Sequence, residues 1–171
     1  KGVADYPGFM DLVREIKPTQ CTLVPDSDNQ LTSDHGFDLT KDGDRVAPIV
    51  DKLKSMGIRT SLFMDPDPKQ IKIAAEINAH RIELYTESYA QAFVDKKDLD
   101  LVLKTYQTAA DAANDYGLGL NAGHDLNLDN LPKFCGIKNL LEVSIGHHLT
   151  VDALEMGLEH AIRSYKKILN P

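Results

Sequence analysis

The sequence has 171 residues, 42% of them apolar and 26% charged, with 19 basic against 26 acidic side chains and a formal charge of −7. That balance supports a core built from the chain's own side chains and excludes a disordered or disulfide-stapled class, because Cys21 and Cys135 are the only cysteines and lie far apart. The acidic balance and the lack of Trp and of any Lys/Arg cluster argue against nucleic acid, no apolar run reaches the roughly 18 residues of a membrane span, and residues 1–5 lack a signal peptide's apolar core, so a cytoplasmic protein is expected.

In chain order, Phe9, Leu12, Val13 and Ile16 recur at helical spacing between Pro7, suited to a first helical position, and Pro18. Cys21-Thr-Leu-Val24 reads as a strand and runs into a long polar loop, Pro25 to Gly36. Pro48 interrupts the segment from Val46 to Met56, so a helix there must start near the proline or kink at it. Thr60-Ser-Leu-Phe-Met64 is a second strand. Asp67-Pro68-Lys69-Gln70 reads as an N-cap, a first-turn proline and a capping-box glutamine, opening a helix with Ile71, Ala74 and Ala75 on one face. The acidic pairs Asp42/Asp44 and Asp65/Asp67 fit helix starts.

Arg81-Ile-Glu-Leu-Tyr85 is a third strand, followed by a loop from Thr86 to Ala92 and a helix marked by Leu99, Val102, Leu103 and Tyr106. Leu118-Gly-Leu-Asn121 and Leu141-Glu-Val-Ser-Ile145 complete five strands, and the last helix begins near Thr150 with Leu154, Leu158, Ile162 and Tyr165 along one stripe. Such alternation implies an α/β fold of parallel strands joined by right-handed crossovers, in one domain over residues 1–171. A doubly wound sheet fits the length. A (β/α)8 barrel fits the polar residues in loops after the strand ends and the lack of a Gly-x-Gly-x-x-Gly turn or P-loop.

Four places could carry chemistry. His124 in Asn121-Ala-Gly-His-Asp125 follows a small-residue turn at a strand end, where an imidazole can exchange protons with a ligand or simply cap the next helix. Gly146 and His147 lie between the last strand and last helix, as a phosphate-binding nest or as an ordinary turn capped by Thr150. Glu83 is the one acidic residue inside a strand run that otherwise alternates apolar side chains, and a buried carboxylate needs a partner or a role. Thr32 or Ser33, in the long loop, could donate to a ligand oxygen or form turn bonds. His124 with His147 or His148 lacks a third metal ligand at motif spacing, so no metal is expected.

Taken together, Thr22-Leu-Val-Pro25 with Leu31-Thr-Ser33, Gly57-Ile-Arg-Thr-Ser-Leu-Phe63, Arg81-Ile-Glu-Leu-Tyr-Thr86, Gly119-Leu-Asn-Ala-Gly-His-Asp125 and Glu142-Val-Ser-Ile-Gly-His147 resemble the pyridoxine 5'-phosphate synthase family, in order and spacing. The resemblance runs from Phe9 onward. It implies a (β/α)8 TIM barrel, octameric in the family. The implied reaction condenses 1-deoxy-D-xylulose 5-phosphate with 3-amino-2-oxopropyl phosphate to pyridoxine 5'-phosphate, phosphate and water, without cofactor or metal. By resemblance His124 is the proton donor, Glu83 the transition-state-stabilising carboxylate, Thr32 and Asp125 ligand contacts, and Gly146 with His147 the phosphate-binding pair. The family's preceding barrel units, with an Asn-rich strand, arginines, a His and a Glu aligned at Gly2, have no counterpart here, so the chain resembles the last five βα units. The alternative to an active synthase is an inert piece that binds phosphate or serves assembly.

Overall fold

The computed structural model describes residues 8–27 and 30–170; the readings at Gly2 and Pro7 lie outside them. The elements are α1 (Phe9–Ile16), β1 (Gln20–Leu23), α2 (Leu39–Ser55), β2 (Arg59–Met64), α3 (Pro68–Glu76), β3 (Arg81–Tyr85), α4 (Glu87–Asp95), α5 (Leu99–Asp115), β4 (Gly119–Gly123), α6 (Leu131–Phe134), β5 (Leu140–Ser144), α7 (His147–Met156) and α8 (Leu158–Leu169). All strand pairs are parallel, and spatial order equals chain order, β1-β2-β3-β4-β5. A doubly wound sheet reverses its strand order at a switch point. This sheet never does, which leaves the singly wound arrangement of a partial TIM barrel.

The two faces of the sheet differ in chemistry. Leu23, Leu62, Met64, Ile82, Leu84, Leu120 and Ala122 point to one face and are almost wholly buried beneath the helices. Against them lie Val46, Val50 and Leu53 of α2, Ile71 and Ala74 of α3, and Tyr106, Ala109, Ala110 and Ala113 of α5, each set repeating every three or four residues. The alternate positions carry Gln20, Thr22, Arg59, Ser61, Arg81, Glu83, Asn121, Glu142 and Ser144. One of these contacts reveals the curvature. Arg59 on β2 reaches Glu142 on β5 at 3.2 Å, across two intervening strands that in a flat sheet would hold them roughly 14 Å apart at the backbone. The sheet is therefore curled into a trough with its polar face inside.

Several local expectations change. The α2 helix starts nine residues before Pro48 and runs through it, because Val46, Val50 and Leu53 gain more by burial than the one lost backbone hydrogen bond costs. Asp67 does cap α3, accepting from Lys69 N–H at 2.9 Å, but Gln70 turns away from the capping box to accept from Leu39 N–H at 2.7 Å and donate to Asp38 at 3.1 Å. Much of the expected loop after β3 is the helix α4. The last helix begins at His147 rather than Thr150, and Gly157 at φ 87° breaks it into α7 and α8. The expected apolar stripe is split by that break: Tyr165 is buried, whereas Leu154, Leu158 and Ile162 are exposed.

Leu62, at 0% exposure on the apolar face, is one of the fully buried side chains of the core. Leu62→Ala is expected to lower unfolding free energy in urea by about 2–5 kcal/mol, through lost transfer energy and the cavity left behind. A loss below about 1 kcal/mol would mean that this face is not the core.

Candidate functional site

The trough opens at the C-terminal ends of the strands into a cavity of about 880 Å³ lined by Thr22, Val24, Thr32, Ser33, Phe63, Glu83, His124, Asp125, Ser144, Ile145, Gly146 and His147. All six residues singled out as site candidates lie on this one wall, although 115 positions separate Thr32 from His147 in the chain. His148 lies outside the lining, its ring edge-on to His147 at 5.4 Å.

Glu83 sits at the bottom of the cavity, 7% exposed. The Thr22 hydroxyl donates to its Oε2 at 3.2 Å. Below it Arg81 donates to Glu142 at 2.5 Å and to Asn121 at 2.9 Å, Asn121 donates to Glu142 at 2.9 Å, and Arg59 joins Glu142 to Gln20. Both guanidinium groups are thus committed to Glu142, and Glu83 has no ion-pair partner among the described residues. Burial therefore pushes the Glu83 carboxyl above the ordinary carboxylate range; the hydroxyls of Ser144 and Thr22 offset part of this, and the nearby charge of Glu142 adds to it. Gly123 makes room for that carboxyl, since a Cβ there would collide with Glu83 Oε1 and meet Ser144 Cβ at 3.0 Å.

His124 stands beside it, held on three sides. Its Nε2 lies 3.0 Å from Thr32 Oγ1, its Nδ1 lies 2.7 Å from Asp125 Oδ2, and its ring meets Tyr85 edge-on with centroids 5.0 Å apart. The Asp125 carboxylate fixes the ring on its Nδ1 side, and Nε2 faces the Thr32 hydroxyl. His124 and Asp125 both have positive φ, 87° and 57°, a strained pair of non-glycine residues at the end of β4. The long loop is tied over the site: Phe37 N–H donates to Phe63 C=O at 2.9 Å, Gly36 N–H to Asp65 at 3.1 Å, and Ser33 to Asp26 at 2.8 Å.

Gly146 occupies the N-cap position of α7 and His147 is its first residue, so the N-terminal end of that helix borders the cavity. Thr150 is not the cap; its hydroxyl donates back to Gly146 C=O at 3.1 Å. Thr22, Ser144 and Tyr85 were not among the sequence candidates. Period-2 alternation puts Thr22 and Tyr85 on the Glu83 face; Ser144 is harder to place, because the register with β4 shifts between Leu120 and Asn121. Among the described residues no group of three or more His, Cys, Asp and Glu is placed to hold a metal, and no helix is long and apolar enough to cross a membrane.

A family model described as pyridoxal phosphate biosynthesis protein PdxJ matches residues 3–171. The chain is 48% identical over 167 residues to pyridoxine 5'-phosphate synthase of Xanthomonas campestris pv. campestris (strain B100), covering 97% of this chain and 65% of that protein. It is 49% identical over 162 residues to the protein of the same name from Christiangramia forsetii, covering 94% and 68%. A Xanthomonas oryzae pv. oryzae relative, also named pyridoxine 5'-phosphate synthase, is 46% identical over 97% of the chain. The chain thus spans 65%, just under two thirds, of the length of the first of these relatives.

The raised carboxyl makes a signed prediction. A buried acid that holds its proton more tightly in the folded state contributes stability below its unfolded value, and that contribution is lost as pH rises through the folded value. Glu83→Gln is therefore expected to raise Tm at pH 7 and to leave it nearly unchanged at pH 4. A Glu83→Gln protein less stable than the parent at pH 7 would show that the carboxylate is favourably paired.

Proposed function

The chain belongs to the pyridoxal phosphate biosynthesis protein PdxJ family, and on that premise we propose that its site is the synthase site of a single-domain partial barrel over residues 1–171. The proposed reaction condenses 1-deoxy-D-xylulose 5-phosphate with 3-amino-2-oxopropyl phosphate to pyridoxine 5'-phosphate, with loss of phosphate and water. The observation that supports it best is the convergence of Glu83, His124, Thr32 and the Gly146-His147 turn on one cavity.

Each side chain suits a step of such a condensation. Carbonyl–amine addition, dehydration, enolisation and ring closure all move protons at positions along two small molecules. His124, with Nδ1 on Asp125 and Nε2 facing the cavity, gives and takes a proton at Nε2. Glu83, whose carboxyl is raised by burial, holds its proton more tightly than an ordinary carboxyl and in its protonated form donates a hydrogen bond to oxygen as charge develops there. Thr32 supplies a hydroxyl contact and Asp125 a ligand-facing carboxylate edge. The first turn of α7, opened by Gly146 and His147, receives a substrate phosphate through its N–H groups. The protein is read as cytoplasmic, with homo-oligomers, octameric by family, as its assembly.

A second reading rests on the open trough. Among the described residues β1 and β5 each have a single neighbouring strand, so the polar face is walled on five strands only, and a chain in this form could bind phosphate without turnover. Turnover separates the two. With both substrates supplied, the protein is expected to form pyridoxine 5'-phosphate, and His124→Ala to lower kcat by about 10²-fold or more with folding intact. Unchanged turnover in His124→Ala would remove the histidine from the reaction, and phosphate binding without product in the parent chain would favour the second reading.

A further inference from the structure

Thr86 follows β3 and stands at the N-cap position of α4, where a threonine ordinarily turns its hydroxyl oxygen to accept a free N–H of the helix's first turn. Here it makes no such bond. Its single hydroxyl proton is instead shared between Gly123 C=O at 2.9 Å and His124 C=O, while its own N–H donates to Gly123 C=O at 3.1 Å. The residue is fully buried, at 0% exposure, so these bonds are shielded from bulk solvent. A helix cap has been given up to grip a turn on the neighbouring strand.

That turn is the one that needs gripping. His124 and Asp125 both hold positive φ, a conformation that non-glycine residues leave unless the surroundings fix it. The same turn carries Gly123, whose missing Cβ accommodates the Glu83 carboxyl, so a shift in it moves the imidazole and crowds the acid together. The carbonyl of Thr86 is already occupied by Ala90 N–H at 3.0 Å, and its backbone N–H reaches only Gly123 C=O, so the side-chain hydroxyl is the part of this residue that reaches the His124 carbonyl.

We infer that Thr86 is a positioning residue: its hydroxyl holds the Gly123–His124 peptide in the strained conformation that aims the His124 imidazole at Thr32 and the cavity. The inference rests on the reading of His124 as the proton-transferring group, and it makes a separate claim about geometry. Thr86→Val keeps the shape and the buried methyl but removes the donor; Thr86→Ser keeps the donor and removes the methyl.

The test follows the His124 ring resonances by NMR in the 171-residue protein, with kcat and KM measured on the two proposed substrates. Thr86→Val is expected to move the His124 ring signals away from their parent positions, to lower kcat by about tenfold or more through misplacement of the proton-transferring group, and to change KM little. Thr86→Ser is expected to restore the parent signals and to keep kcat within about threefold of the parent. Thr86→Ala, which cannot clash, serves as the donor-free variant if Thr86→Val does not fold, with the same expectation. Parent-like His124 signals in a folded donor-free variant, or equal displacement in Thr86→Ser, would overturn the inference. If the parent forms no product, the synthase reading fails while the His124 signals still decide the role of Thr86.

Discussion

The curl of the parallel sheet is the constraint on which everything else in this structure depends. One face is sealed by helices over Leu62, Met64, Ile82 and Leu84, and the other carries polar groups that water or one another must satisfy. Curling brings those polar groups within reach across the trough. Arg59, Arg81 and Asn121 gather around the Glu142 carboxylate, with Gln20 accepting from Arg59, and β2 is tied to β5 through side chains rather than backbone. A flat sheet with the same sequence would leave these groups apart and would spread the loops after the strands along a line, not around a cavity.

The same curl creates the tension that the site exploits. Glu142 takes both guanidinium groups, so the carboxyl one layer above it, Glu83, is buried without a counter-charge and holds its proton more tightly. Above that, the turn ending β4 bends through two non-glycine residues of positive φ to present His124. Both features cost stability and both lie where ligand chemistry is proposed, which is the usual place for a fold to keep its least comfortable residues. The bonds that stabilise them come from β1, the long loop and the turn itself: Thr22 on Glu83, and Thr32 and Asp125 on the imidazole.

Much of this was legible in the residues alone. The strand runs stand within a residue or two of β1 to β5, because buried parallel strands read as short apolar stretches between turn residues. The loops after them contribute Val24, Thr32, Ser33, His124, Asp125 and Gly146 to the cavity, and the strands themselves contribute Thr22, Phe63, Glu83 and Ser144. The choice between a doubly wound sheet and a barrel was not legible from alternation, since both predict the same element order, and only the spatial strand order decides it. A helix start well before Pro48 was not legible, because burial of one helix face outweighs a single lost hydrogen bond. Gln70 misled because its side chain fits a local capping rule but is drawn instead to a backbone group on another segment. The break at Gly157 could be suspected from the glycine, but the stripe through Leu154 and Leu158 concealed it.

The central claim is that turns widely separated in sequence form one ligand site at the mouth of the trough. The most direct measurement is a titration of the protein with 1-deoxy-D-xylulose 5-phosphate, followed residue by residue through backbone amide NMR signals. The account predicts that Thr32, Gly123 to Asp125 and Gly146 to His148 shift together, along one saturation curve with one Kd. Shifts confined to a single turn, or separate curves for the β4 and β5 turns, would contradict it.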